Sequence, residues 1–162
     1  YGSYLADDSE SFEEEIDMAL ALNPNSPYTV GAAGYLHVMR GDFERGLPLL
    51  DRAIAVNPCH PTWFHAGYVF DHLYRQDYDH ALVEIEKHKP FIGFWLDAAR
   101  GAILSKLGRL DEARVHVETV VGAKPDLPSR VRELMRRTVK VESVVDDLID
   151  GLNTAGLGAC SP

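Results

Sequence analysis

The chain has little of what most chemistry needs. Only two cysteines occur in 162 residues, Cys59 and Cys160, in no metal or redox spacing, which argues against a disulfide framework. There is no CxxC, no HExxH, no glycine-rich phosphate loop and no nucleophile elbow. Positive charge is also short: sixteen Lys and Arg face twenty-five Asp and Glu, a formal net charge of −9. Nucleic acids and anionic membranes are bound by basic faces that displace counterions, so neither is an expected partner. The uncharged stretch from Met18 to Val38 is long enough to cross a bilayer, but Asn23, Pro24, Asn25, Ser26 and Pro27 interrupt its centre. No signal peptide is visible, and a cytoplasmic location is expected. The first residue is Tyr1 rather than Met, so a part of a longer protein is expected.

What the chain does have is repetition. Asn23-Pro24-x-x-Pro27 recurs as Asn57-Pro58-x-x-Pro61, 34 residues later. Gly34 and Gly41 find counterparts in Gly101 and Gly108, and Gly41-Asp42-Phe43-Glu44 echoes in Gln76-Asp77-Tyr78-Asp79 and Gly108-Arg109-Leu110-Asp111. Lys124-Pro125 closes the third unit as Asn57-Pro58 closes the first. Apolar residues between these marks step by three and four: Phe43, Leu47, Leu50, Ala53 and Ile54, then Trp63, Ala66, Gly67, Phe70 and Leu73. No sustained period of two occurs. The pattern predicts an all-α protein of helix, short turn, antiparallel helix and Pro-marked corner.

Over roughly Phe12 to Asp126 this pattern resembles the tetratricopeptide repeat family, on Trp63-x-x-Ala66-Gly67-x-x-Phe70, Ala33-Gly34, Leu50, Ala53, Pro58, Gly101, Leu104, Ala113 and Pro125. Unit two departs with about two extra residues between its helices, and unit three has Arg100 where Leu is usual. The resemblance implies a right-handed superhelix of stacked pairs, an α-solenoid. Its expected parts are a second helix of a truncated repeat at 12–24, repeats at 27–58, 60–90 and 91–125, capping helices at 128–155 and a frayed tail at 156–162. The apolar stripe Val144, Val145, Leu148, Ile149 and Leu152 marks the last capping helix.

The resemblance also implies that first helices line a concave groove for a peptide or helix. The residues it places there are Tyr28, Tyr35 and Met39 from unit one, Phe64, Tyr68, Asp71 and His72 from unit two, and Trp95, Ser105 and Lys106 from unit three. Tyr35 and Tyr68 would share one position, and Met39, His72 and Lys106 another. Several could equally be inter-repeat core. Gly31, Tyr35, His65, Trp95 and Ala99 stand where chaperone-binding relatives need Lys, Arg or Asn, so that partner class is not expected. Arg132, Arg136 and Lys140 form a secondary basic stripe suited either to an acidic partner or to solvent. One alternative reading is a His-based metal or small-molecule binding domain, which would use His65, Asp71 and His72. His65 and His72 lie two helical turns apart, too far to share an ion, so no metal, cofactor or catalytic residue is expected.

A second resemblance, carried by Asn57-Pro-Cys-His-Pro-Thr-Trp63-Phe and Leu148-Ile-Asp-Gly-Leu-Asn-Thr-Ala-Gly-Leu157, is to the C-terminal repeats of bacterial cyclase-type or winged-helix regulators. It implies the regulatory or docking region of a signalling protein whose catalysis lies upstream. A scaffold built only of repeats is the alternative, and self-association through the edge beside Phe12 and Ile16 is expected to be possible.

Overall fold

The computed structural model describes Tyr4, residues 8–87 and residues 94–160, without the side chains of 159 and 160. Among these residues every regular element is helical. The α-helices are α1 (Ser9–Leu22), α2 (Pro27–Arg40), α3 (Phe43–Ala55), α4 (His65–Tyr74), α5 (Tyr78–Glu86), α6 (Trp95–Lys106), α7 (Leu110–Ala123), α8 (Leu127–Thr138) and α9 (Glu142–Thr154). Short 3-10 turns cover Thr62–Phe64 and Leu157–Cys160. The expected boundary between the second and third repeats, at 90 and 91, lies outside the described residues, as do the last two residues of the expected tail. No helix is long and apolar enough to cross a membrane among the described residues.

Local sequence explains where these helices start. Asp8, Asp42 and Asp77 each cap a helix by accepting the backbone N–H three residues on, from Ser11, Arg45 and His80. Pro27 opens α2 behind the Ser26 cap, where its missing N–H costs nothing. Gly41 and Gly108 end α2 and α6 at φ of 92° and 76°, which side chains disfavour, and Gln76 takes the same left-handed position at 57°.

The hairpins α2/α3, α4/α5 and α6/α7 are antiparallel and close-packed. A Cβ on Gly34 would stand 2.7 Å from the Gly46 carbonyl, so bare backbone is needed at that crossing. Gly101 faces the Ala113 carbonyl at the matching crossing, where a Cβ would sit at an ordinary contact distance of 3.4 Å. Gly67 does something else: its neighbour is the Leu50 side chain of the preceding hairpin. Matching Gly67 with Gly34 is therefore incorrect. Counting back from the N-caps Asp42, Asp77 and Arg109, Val69 is the counterpart of Gly34 and Gly101, and it is buried. The corner from Pro58 to the 3-10 turn absorbs one more residue than the corner before α2, which shifts the second unit.

The C-terminal helices do more than cap an end. α9 lies along α6, with Gly151 against the Ala102 backbone, and also touches α4 and α7. The link into α9 reaches back to the first hairpin: Lys140 N–H donates to the Met39 carbonyl, and Val141 packs on Gly41. Tyr4, itself buried, donates its hydroxyl to the Thr138 carbonyl. The expected frayed tail is also corrected in part, because Leu157 is 1% exposed and its 3-10 turn packs on α7, α8 and α9.

Candidate partner-binding surface

The ten groove residues divide once packing is seen. Met39 and Phe64 are fully buried, and Asp71 and Ser105 nearly so, which makes these four core rather than lining. Phe64 fills the space left by Gly31, and Asp71 is held by Arg75 at 2.9 Å. Lys106 is taken by α9 through ion pairs of 2.9 Å to Asp147 and 2.6 Å to Asp150. Burial opposes its charge, but those two carboxylates outweigh it, so the ammonium titrates above its ordinary range. Where α9 lies on Ala102 and Lys106, the chain covers its own first-helix surface.

Tyr68 is also displaced from the groove. Its hydroxyl donates to Asp51 of α3 at 2.6 Å, and burial followed by that carboxylate pushes the phenol well up. Tyr35 and Tyr68 therefore do not share a position. Nor do His72 and Met39: His72 lies 3.5 Å from Asp77 as His37 lies 3.6 Å from Asp42. The spacing His-x4-Asp, present twice in the sequence, was the signal for this correspondence. His65 pairs with Glu84 at 3.0 Å, and Asp97 pairs with His116 at 2.9 Å with the charges exchanged. Burial lowers the pKa of His65, although its hydrogen bond to Glu84 works the other way. The triad His65, Asp71 and His72 is thus not assembled, each member having a separate partner.

The basic stripe is neutralised from within. Arg136 bonds Glu142 at 2.7 Å, and Arg132 pairs with Glu142 and Asp146. Lys140 stacks over the Tyr4 ring at 5.4 Å. The stripe joins α8 to α9 and is no open docking surface.

What remains open is at the other end. Trp63 stands edge-on to Tyr28 and Tyr35, with centroids 5.8 and 5.3 Å away. Trp95 is half-buried and stacks on Phe94. Beside Tyr28, α1 and α2 diverge around an apolar groove of about 430 Å³, floored by Ile16, Ala19, Thr29, Ala32 and Leu36. Of its lining residues Tyr28 is 61% exposed, and α1 also carries exposed Met18 and Leu22. Phe12 and Ile16, expected to be sticky, are buried. Sequence reasoning did not single out Thr29, Ala32 or Leu36, because a helical stripe does not reveal which helices pack over it.

The groove positions have counterparts one unit on. Counting from the caps Asp8 and Asp42, Ile16 corresponds to Leu50 and Ala19 to Ala53; counting back from Asp42 and Asp77, Thr29 corresponds to Phe64 and Ala32 to Gly67. All four counterparts are buried, and Leu50 and Phe64 meet Gly34 and Gly31 of α2. The α1–α2 groove is thus of the kind that α2 itself occupies between α3 and α4. Compared with known proteins, the chain matches no protein family, no curated protein and no solved structure.

Proposed function

We propose that this chain is a non-catalytic protein-interaction module of tetratricopeptide-like repeats, stacked as a right-handed superhelix, which captures an amphipathic helix. The observation that carries this reading is the α1–α2 groove, lined mostly by apolar residues and edged by exposed Tyr28. Isolated apolar residues on a surface are ordinary, whereas a contiguous apolar groove fits the helix-in-groove mode of recognition. The occupant presents small and aliphatic residues on one face, as α2 does with Gly31 and Gly34 in its own seat. The ladder of corner prolines and capped hairpins supports the repeat assignment. The segment Leu148–Leu157 supports a place as the regulatory or docking region of a larger bacterial signalling protein.

A library of displayed amphipathic helices, selected on the wild type, tests the proposal. Selected helices are expected to lose binding to Ala32→Arg and weaken on Tyr28→Ala, while Tyr68→Phe, on the far side of α4, leaves them unaffected. Helices that bind Ala32→Arg as well as the wild type refute the groove assignment.

A further inference from the structure

Each hairpin closes on three equivalent positions: a residue in the last turns of its first helix, the N-cap of its second, and the third residue beyond that cap. In the first hairpin these are His37, Asp42 and Arg45, with His37 Nδ1 3.6 Å and Arg45 Nε 3.8 Å from the Asp42 carboxylate. In the third they are Leu104, Arg109 and Glu112, and the Arg109 guanidinium holds Glu112 at 2.6 Å. Both sets contain their own cation and their own anion.

The second hairpin has His72, Asp77 and His80 in these places. His72 Nδ1 lies 3.5 Å and His80 Nδ1 2.8 Å from Asp77 Oδ2. The two rings stack with centroids 5.4 Å apart and 22° between their planes. One donor atom from each of the three residues lies within 4.8 Å of the others. His72 Nδ1 is buried and has no hydrogen-bond partner among the described residues. No arginine or lysine stands where Arg45 stands in the first hairpin, so one carboxylate faces two imidazoles.

Two imidazole nitrogens and a carboxylate oxygen are the donor set of borderline transition metals, whereas calcium and magnesium prefer oxygen alone. Tetrahedral zinc holds its ligands at about 2.0–2.1 Å, which sets donor atoms a little over 3 Å apart. The spacing here needs only small side-chain rotations to reach that. We propose that the α4–α5 turn binds one divalent transition-metal ion, with zinc as the representative, through His72, Asp77 and His80, water completing the shell. The ion sets a positive charge beside Asp77, as Arg45 does beside Asp42, and it bridges the last turns of α4 to the cap of α5.

A rival lies nearby, since His60 Nε2 and His65 Nε2 are 3.1 Å apart. That pair offers two donors, and His72, Asp77 and His80 form the one cluster of three among the described residues. The test is calorimetric titration of chelator-washed protein with zinc chloride, paired with melting curves. One ion per chain and a raised melting temperature are expected, because a ligand of the native state stabilises it. His80 is 68% exposed, so its replacement does not threaten folding. His80→Arg rebuilds the first hairpin's arrangement and should abolish zinc binding without lowering the melting temperature of the metal-free protein. His72→Ala should weaken binding by more than the ~10–100-fold cost of losing a supporting outer partner. The double variant His60→Ala/His65→Ala should bind as the wild type does. No binding at a large excess of zinc, binding untouched by His80→Arg, or binding lost in the double variant would each overturn the proposal.

Discussion

The two ends of the molecule treat apolar helix surface in opposite ways. At the C-terminal end, α9 lays Val144, Val145, Leu148 and Leu152 into the structure, each no more than 2% exposed. It seats Gly151 on the Ala102 backbone and draws Lys106 into two ion pairs. At the N-terminal end, Ala19, Ala32 and Leu36 line a groove, and no described helix lies over it as α9 lies over α6. A helix pair buries its apolar face only against a neighbour. The sealed end shows what these surfaces require, and the open end shows where an incoming helix would find it.

The sharpest way to break this contrast is to unseat α9. A Cβ at Gly151 would stand 2.8 Å from the Ala102 carbonyl and 2.9 Å from its Cα, and backbone cannot yield there cheaply. Gly151→Val should cost about 3 kcal/mol, read from urea unfolding, and should expose the first-helix surface to a hydrophobic dye. A next step is Lys106→Met, which among the described residues leaves Asp147, 12% exposed, with the Tyr78 hydroxyl at 2.9 Å as its partner. A loss of about 2 kcal/mol is expected from the same measurement.

Acid should loosen the core that both ends share. Burial lowers the pKa of His37, which is 1% exposed, and that of His65. As pH falls below the ordinary imidazole value of about 6.5, the unfolded chain takes up these protons before the folded one does. Stability is therefore full above that value and declines as the pH falls below it. Glu84, whose pKa its partners Lys87 and His65 lower against the pull of burial, extends the decline further into acid. His37→Phe should flatten part of the slope in urea midpoints measured across this range, and an unchanged slope would remove His37 from the account.

The smallest effect belongs to the open edge. Met18→Lys and Ala32→Arg should change stability by no more than ~0.5 kcal/mol in urea, since nothing in the fold leans on them. A loss as large as that of Gly151→Val would mean the groove is core after all.

The helical character and the corners were legible from prolines, caps and three-four spacing, because those signals act within one or two turns. The second unit's register was not. Its corner takes one extra residue, and Gly67 by chance falls where a glycine is expected while serving Leu50 of the preceding hairpin. The burial of Met39 and Phe64 was equally hidden, since it depends on which helix crosses over them. The position of α9 was half legible: its stripe gave the buried face, but not that this face meets α6 or that Lys140 reaches Met39. Asp71 and Ser105, expected to line a groove, are buried for the same reason. Lining residues are defined by what fails to cover them, and a repeat pattern describes only what recurs.

The contact between Tyr4 and Thr138 spans 134 residues of sequence. With the Lys140–Met39 hydrogen bond it ties the first hairpin to the last helices. An open array of repeats can lose its ends one unit at a time. This chain should instead melt as one unit, with coincident transitions by fluorescence and circular dichroism. During synthesis it should stay unfinished until the residues around 140 have emerged, because the first hairpin waits for its clasp.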